Sequence, residues 1–388
     1  MRRSVLKCSR RQGQIKFMRS AEEIRNAIRV GWNLGNALDA FPRPGKGEKK
    51  GETGWGNPIT TKAMIDAVVA KGFNIIRIPV TWFPYVDDAN NYRIDPTHLV
   101  RVREVVDYAM ENQVFAILNL HHENQWLIPQ WKRYETVKKK YCRIWEQIAD
   151  YFKDYPDLLL FEAMNEPRIE GAENEWEGGT GEVREVLNSL QGEFIKLIRN
   201  SDGNNKTRSL LITTTGASAA ESALAGLVLP NDKNVMVSLH IYLPFCFCTT
   251  TKENGGTAVW DGTYNSVLEE TFERIDRIIL QKGSGVLLTE FGAIAQNNDA
   301  EIGKWIEKLL SEASSRGIKG IWWDNNYEDT PGDSFAIFRR ATCEWIRPDV
   351  TACLLNADKH SPASSVRSTK RWMGCLCPLY VQRVKKIL

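Results

Sequence analysis

No stretch of this 388-residue chain approaches the run of about 18 apolar residues that a membrane-spanning helix needs, so no membrane span is expected. The opening MRRSVLKCSRRQGQIKFM carries charge but no apolar core of signal-peptide length, so no signal peptide is expected there. Cysteine builds no recognisable framework. The eight cysteines include two Cys-x-Cys pairs, Cys246 with Cys248 and Cys375 with Cys377, and neither has the Cys-x-x-Cys spacing of a zinc site. A chain this long needs no disulfide scaffold, and Cys246 and Cys248 read as free thiols in a loop. The glycines of GWNLGN lack the spacing of a phosphate-cradling turn, which argues against an open dinucleotide-binding sheet.

Basic charge is scarce where it would matter for nucleic acid. The net charge is +3, but residues 1–19 carry +7 and residues 358–388 carry +6, leaving the 338 residues between them at −10. An acidic body argues against a nucleic-acid partner, and basic ends read as solvated tails. Three regions follow: a basic extension over 1–20, a body over 21–357, and a basic, disordered tail over 358–388.

What is present is a rhythm. Strand-like runs begin near Val30, Phe73, Val114, Asp157, Arg208, Asn234, Gly285 and Ile318, and helix-like runs lie between them. In the segment from Pro96 to Asn112, Val102, Val105, Val106, Ala109 and Met110 repeat with helical spacing. Val183, Val186, Leu187, Leu190 and Phe194 share one face of a helix near Glu182 to Arg199. The run Leu158 to Phe161 is too apolar to alternate with solvent and reads as a strand buried on both faces. FAIFRR reads as a hairpin, and a last helix follows Pro348. Eight strands alternating with helices predict an α/β fold, a single-domain (β/α)8 TIM barrel.

Barrel chemistry sits where the strands end, and the polar residues collect there. Arg77 ends the second strand, His121 and His122 the third, Asn165 and Glu166 the fourth, His240 and Tyr242 the sixth, Glu290 the seventh and Trp323 the eighth. Three of the five histidines occupy such positions. Taken singly, each has a structural explanation: Arg77 can neutralise a buried acid, and a lone histidine is more often a hydrogen-bonded core group. The run His121-His122-Glu123 lacks the i, i+4 spacing of helical zinc ligands, so no metal is assigned. Glu166 and Glu290 come from opposite sides of the ring and can face each other across its mouth. Paired carboxylates of this type hydrolyse glycosidic bonds, one giving a proton and the other acting as nucleophile or base. Arg77 and Tyr242 are expected to keep Glu290 ionised, whereas Glu166, with less positive charge nearby, is expected to hold its proton.

In this order Arg77, His121, Asn165-Glu166-Pro167, His240-x-Tyr242, Glu290 and Trp323 resemble glycoside hydrolase family 5. GWNLGNALDA, ETGWGNPITTKAMIDAVVAKGF, RIPVTW, LNLHHE and IWWDN resemble its subfamily 4, mostly endo-β-1,4-glucanases. The likeness runs from about Ala21 to Ala357. It implies a retaining cellulase-type endoglucanase that needs no cofactor, with Glu166 as acid/base and Glu290 as nucleophile. It also implies that Asn165 holds the sugar 2-OH, His240 sits near Glu166, and His121 lines the reacting sugar's site. Trp323 would lie under that sugar, while Asn36, Trp55 and His122 would bind sugars further along the cleft. Xyloglucan and mixed-linkage glucan are further substrates the resemblance admits. A mannanase or xylanase of the same mechanism is the alternative, and a glucan-binding barrel without activity a more distant one. The implied partner is a β-glucan and the implied state a monomer. The implied address is extracellular, although no signal peptide is expected in the opening residues. Trp126, Trp131, Trp176 and Trp260 fall in loops around the mouth, where stacking on sugar and simple packing compete. CFCTT after the sixth strand departs from the small polar or acidic residues of the family pattern.

Overall fold

A computed structural model describes residues 18–43, 45–47 and 49–356. Most of the basic extension, the tail over 358–388, and Cys8, Cys375 and Cys377 lie outside these residues. Eight strands close into an all-parallel barrel in which each pairs with its sequence neighbours and the last pairs with the first. They are β1 Gly31–Asn33, β2 Ile75–Ile78, β3 Phe115–Asn119, β4 Leu159–Glu162, β5 Leu210–Thr213, β6 Val235–Ile241, β7 Val286–Phe291 and β8 Lys319–Trp322. The helices are α1 Ala21–Ala27, α2 Lys62–Lys71, α3 Pro96–Glu111, α4 Tyr134–Tyr151, α5 Gly181–Asn200, α6 Glu221–Ala225, α7 Asn265–Ile278, α8 Asp299–Ser314 and α9 Pro348–Asn356. Helices α2 to α8 fill the seven gaps between successive strands, and α9 follows the last strand and ends the described residues, as the rhythm predicts.

Local chemistry explains where the helices start. Asp95 accepts the amide of Thr97, and Pro96 takes the first turn of α3, where a missing N–H costs nothing. The predicted face Val102, Val105, Val106 and Ala109 is buried against the barrel. Thr180 caps α5 through Val183, and the predicted face of that helix is buried too. The FAIFRR hairpin forms between Phe338–Arg339 and Glu344–Trp345. A second ribbon, Val86–Asp87 with Arg93–Ile94, had no clear sequence signal.

Two features position the mouth. The first is α1, which the sequence reading missed. Ser20 and Glu23 form a capping box at its start, and Arg19 pairs with Asp157, so the fold begins inside the segment assigned to the extension. Ala21, Ile24 and Ile28 join Ile75, Phe115, Ile117, Leu160, Leu211, Met236, Leu287 and Ile321 in one buried cluster, separate from the main core. Asp157 precedes β4, and Asn234, which accepts the Ala21 amide, precedes β6. Helix α1 therefore plugs the end of the barrel where the strands begin.

The second is the pleat. Side chains of a strand alternate with a period of two, so the next position on each inward face lies two residues on. There the apolar layer gives way to Asn33, Arg77, Asn119, Glu162, Thr213, Ser238 and Thr289, all buried. A single pleat step thus converts a dry plug into a polar floor.

Candidate active site

Arg77 is the hub of that floor and is fully buried. Its Nε donates to Glu162 Oε2 at 2.8 Å and its Nη1 to Glu290 Oε1 at 2.6 Å. Nη1 also reaches Asn33 Oδ1 at 3.0 Å, and Nη2 reaches Asn165 Oδ1 at 2.7 Å. One guanidinium therefore holds groups from β1, β4, β7 and the β4 loop in fixed relation. Burial alone would weaken its charge, but Glu162 and Glu290 raise its pKa above the usual arginine value. Glu162 in turn accepts from Asn119 at 2.9 Å and from Ser238 at 2.6 Å, so a buried carboxylate has its acceptor sites filled.

Glu290 reaches the mouth through an irregularity. The pairing of β6 with β7 runs Leu239 to Leu288 and then His240 to Glu290, skipping Thr289. A bulge of this kind lets adjacent residues face the same side. Thr289 bonds Ser238 in the floor, and Glu290 accepts from Arg77 and from the Tyr242 hydroxyl, the latter at 2.8 Å on Oε2. Burial, followed by the Glu290 charge, pushes the Tyr242 hydroxyl well above its ordinary pKa, so it serves as a donor.

Glu166 stands across from Glu290, with His240 between them. His240 Nδ1 lies 2.7 Å from Glu166 Oε1 and 3.5 Å from Glu290 Oε2, and oxygens of the two carboxylates approach within 4.8 Å. The expected protonation of Glu166 needs correction. Burial pushes this carboxyl up, but the hydrogen bond and charge of His240, then the charges of Arg168 and His122, outweigh it and hold it below the ordinary carboxylate value. Arg168 Nη1 sits 3.6 Å from Glu166 Oε2, positive charge that the sequence reading did not count.

His121 is buried and lies parallel to Trp323, their ring centres 5.8 Å apart. Asn119 accepts the Val80 amide on Oδ1, so its Nδ2 faces both Glu162 and His121 Nδ1, the latter at 3.2 Å. His121 Nδ1 must then accept, which leaves the proton on Nε2. Burial, then the positive charges of His122 and Arg77, hold its pKa well below the usual value, so the ring stays neutral. Trp323 packs so closely on Gly35 that a Cβ there would come within 2.7 Å of the indole.

Asn36, Trp55 and His122 gather at one side of the mouth. Asn36, at φ 58°, donates its amide to Asp39, whose Oδ2 lies 3.7 Å from His122 Nε2. Trp55 donates its indole N–H to the Phe41 carbonyl and packs 5.5 Å from His122. Of the loop tryptophans, Trp260 is buried against Phe247, and Trp126 bonds Glu123 beneath the Lys140 ammonium. Trp176 is covered by the Arg168 guanidinium, 4.2 Å from its ring centre. Of the four, Trp260 is buried, Trp126 and Trp176 are half-buried, and Trp131 is 47% exposed. CFCTT overlaps the helical turn Phe245–Cys248, which buries Phe247 and Cys248 and exposes the preceding Phe245.

Among the described residues two triads bring donor atoms within 4.8 Å of one another: Asp39 with His121 and His122, and Glu166 with His240 and Glu290. Asp39 already accepts two backbone amides, and Glu290 already accepts from Arg77 and Tyr242. Neither triad is assigned as a metal site.

Sequence reasoning passed over Asn33, Asp39, Asn119, Arg168, Ser238 and Thr289 and gave Glu162 no role. The signal was available in part, since Asn119, Ser238 and Glu162 lie on the strands already singled out.

A closed parallel barrel with facing carboxylates at its mouth and an aromatic wall beside them is the architecture of a glycoside hydrolase. The family model for cellulase (glycosyl hydrolase family 5) matches residues 39–329. Endoglucanase A of Ruminococcus albus is 39% identical over 351 residues, which is 90% of this chain and 95% of that protein. A broad-specificity endoglucanase from Clostridium longisporum is 39% identical with a TM-score of 0.83, covering 88% of this chain and 99% of that one. A xyloglucan-specific endo-β-1,4-glucanase from a metagenomic library, solved with cellotriose, is 37% identical with a TM-score of 0.82, covering 86% and 98%. The chain belongs to glycosyl hydrolase family 5.

Proposed function

We propose that this protein is a retaining endo-β-1,4-glucanase, with Glu290 as nucleophile and Glu166 as acid/base. The observation that carries the reading is the meeting of the two carboxylates around His240, their oxygens within 4.8 Å. That spacing suits double displacement, because inversion needs a wider gap to admit a water between acid and base. Glu290 attacks the anomeric carbon as the glycosidic C–O bond breaks, and Glu166 gives its proton to the departing oxygen. Water then adds from the side of Glu166, which takes the proton back as the glycosyl ester is cleaved.

The Glu166–His240 pair supplies the proton. When a glucan fills the mouth and drives out water, desolvation favours the neutral, protonated form of Glu166. Asn165, held by Arg77, bonds the sugar 2-OH, a contact that tightens as the oxocarbenium-like transition state forms. His121 presents Nε2–H to the same sugar, and Trp323 gives it a flat face. Asn36, Trp55 and His122 extend the cleft.

The substrate reading rests on the relatives described above, whose names specify glucan and xyloglucan rather than mannan or xylan. A β-glucan polymer is met outside the cell, so the reading carries an extracellular enzyme with it, acting as a single chain. Among the described residues no helix is long and apolar enough to cross a membrane. The test is digestion of β-glucan, xyloglucan, xylan and mannan, with NMR of the first-formed anomer. Internal cleavage of the glucans giving the β anomer is expected. The α anomer would overturn retention, and preferential cleavage of mannan or xylan would overturn the substrate.

A further inference from the structure

Glu166 and Arg168 lie two residues apart on the loop after β4, and Arg168 belongs to none of the roles above. Its side chain is only 10% exposed, and each of its contacts has a direction. Nε donates to Glu175 Oε1 at 2.7 Å, and Nη1 donates to the Glu166 carbonyl at 2.9 Å. Nη1 also lies 3.6 Å from Glu166 Oε2, and Nη2 lies 3.7 Å from Glu170. The guanidinium carbon lies 4.2 Å from the ring centre of Trp176, and a Cβ at Gly216 would meet that same ring at 3.5 Å. Arginine suits this position because its planar fork can stack and donate in several directions at once.

We propose that Arg168 is a positioning residue for Glu166, a charge clamped by Glu175 and Trp176 that holds the outer carboxylate oxygen and sets how readily it exchanges its proton. The inference rests on reading Glu166 as the acid/base. The inner oxygen of Glu166 already faces His240, so the outer oxygen is the one left to address the leaving group. A cation 3.6 Å away opposes protonation there, and its pull is moderated because Glu175 shares it. The other charged or titratable groups facing Glu166 are His240 from β6, Glu290 from β7, His122 from the β3 loop and Tyr242 after β6. Arg168 is the member of this set that can be neutralised without touching the reacting atoms. Glu175 acts through it.

The test compares kcat/KM against pH on a cello-oligosaccharide and on a dinitrophenyl cellobioside, whose leaving group needs no acid help. In the native protein the alkaline limb should appear with the oligosaccharide and vanish with the dinitrophenyl substrate. Absence of that contrast would reject Glu166 as the acid, and the inference would fall with it. With the contrast present, Arg168→Gln should move the alkaline limb up by about half a pH unit to one unit, because a neutral neighbour no longer disfavours the proton. Arg168→Lys, which keeps the charge, should move it less than half as far. Glu175→Gln should move it the opposite way, since Arg168 then faces Glu166 uncompensated. This variant and the lysine variant carry the test if the glutamine variant at 168 does not fold. An unmoved limb in Arg168→Gln or Glu175→Gln, or an equal shift in the lysine variant, would overturn Arg168 as a positioning residue while leaving the acid assignment intact.

Discussion

The two ends of this barrel are built from the same strands yet hold opposite contents. At the closed end, Ile75, Ile117, Leu160 and Leu287 pack with Ile24 of α1 and with Ile28 just after it. Two residues along, on the same faces, are Arg77, Asn119, Glu162 and Thr289: Arg77 and Asn119 both donate to Glu162, and Thr289 bonds Ser238. The lower layer gains from removing apolar surface from water, at about 25 cal/mol per Å². The upper layer gains little net stability from its buried charges, since desolvation offsets much of their attraction. It gains fixed geometry instead, which is what two carboxylates acting on one bond require. Stability and chemistry are thus stacked along each strand, one pleat apart.

Substitutions can sharpen or break that division. The largest effect is expected from Glu290→Ala, which should lower turnover by several powers of ten while a soluble glucan still binds. Its melting temperature should stay close to that of the native protein, and retained turnover would reject the nucleophile. Glu166→Ala should slow glucan cleavage by about 10²–10⁴-fold and spare activated aryl glycosides at the glycosylation step. Equal damage on both substrates would reject the acid. Arg77→Met tests the boundary between the layers, because it leaves Glu162 and Glu290 buried without their shared cation. A loss of about 3–5 kcal/mol in denaturant unfolding is expected together with lost activity, and an unchanged midpoint would show that the floor is not held by charge.

Ile24→Ala works from the other end. It should cost about 3 kcal/mol by opening a cavity in the plug, while kcat stays near the native value. A large fall in kcat with the fold intact would break the division. The last effect is a pH dependence near the mouth. Glu123 accepts the Trp82 amide and the Trp126 indole, yet burial pushes its carboxyl up to about 7. The folded state then holds this proton longer than the unfolded chain. Its stabilising contribution is complete below about pH 4.5 and is lost as pH rises through about 7. Melting scans from about pH 5 to 8 should show a decline that is shallower in Glu123→Gln, and parallel curves would contradict this.

The strands and the long helices were legible because burial on both faces and helical spacing leave strong patterns. The facing glutamates were legible because an acid at the end of an apolar strand is hard to explain by packing. The bulge at Thr289 was not, since VLLTEF carries no glycine or other mark of an irregular step. Helix α1 is seven residues long, too short for a periodic face, although Ser20 and Glu23 held its capping signature. The floor was hidden for another reason: polar residues inside strands look like interruptions until the pleat sets them side by side. Arg168 was hidden by its loop, where spacing says nothing about direction. The loop tryptophans show the same limit, since only the coordinates separate exposed Trp131 from buried Trp260.

The central claim is that Glu166 and Glu290 flank one anomeric carbon, with Glu290 forming the covalent bond. It can be met directly by incubating the enzyme with a 2-deoxy-2-fluoro cellobioside that carries a good leaving group, followed by proteolysis and mass spectrometry. A single fluoroglycosyl adduct on Glu290, released when an acceptor sugar is added, is the expected result. An adduct on another residue, or turnover of the probe without any adduct, would contradict it.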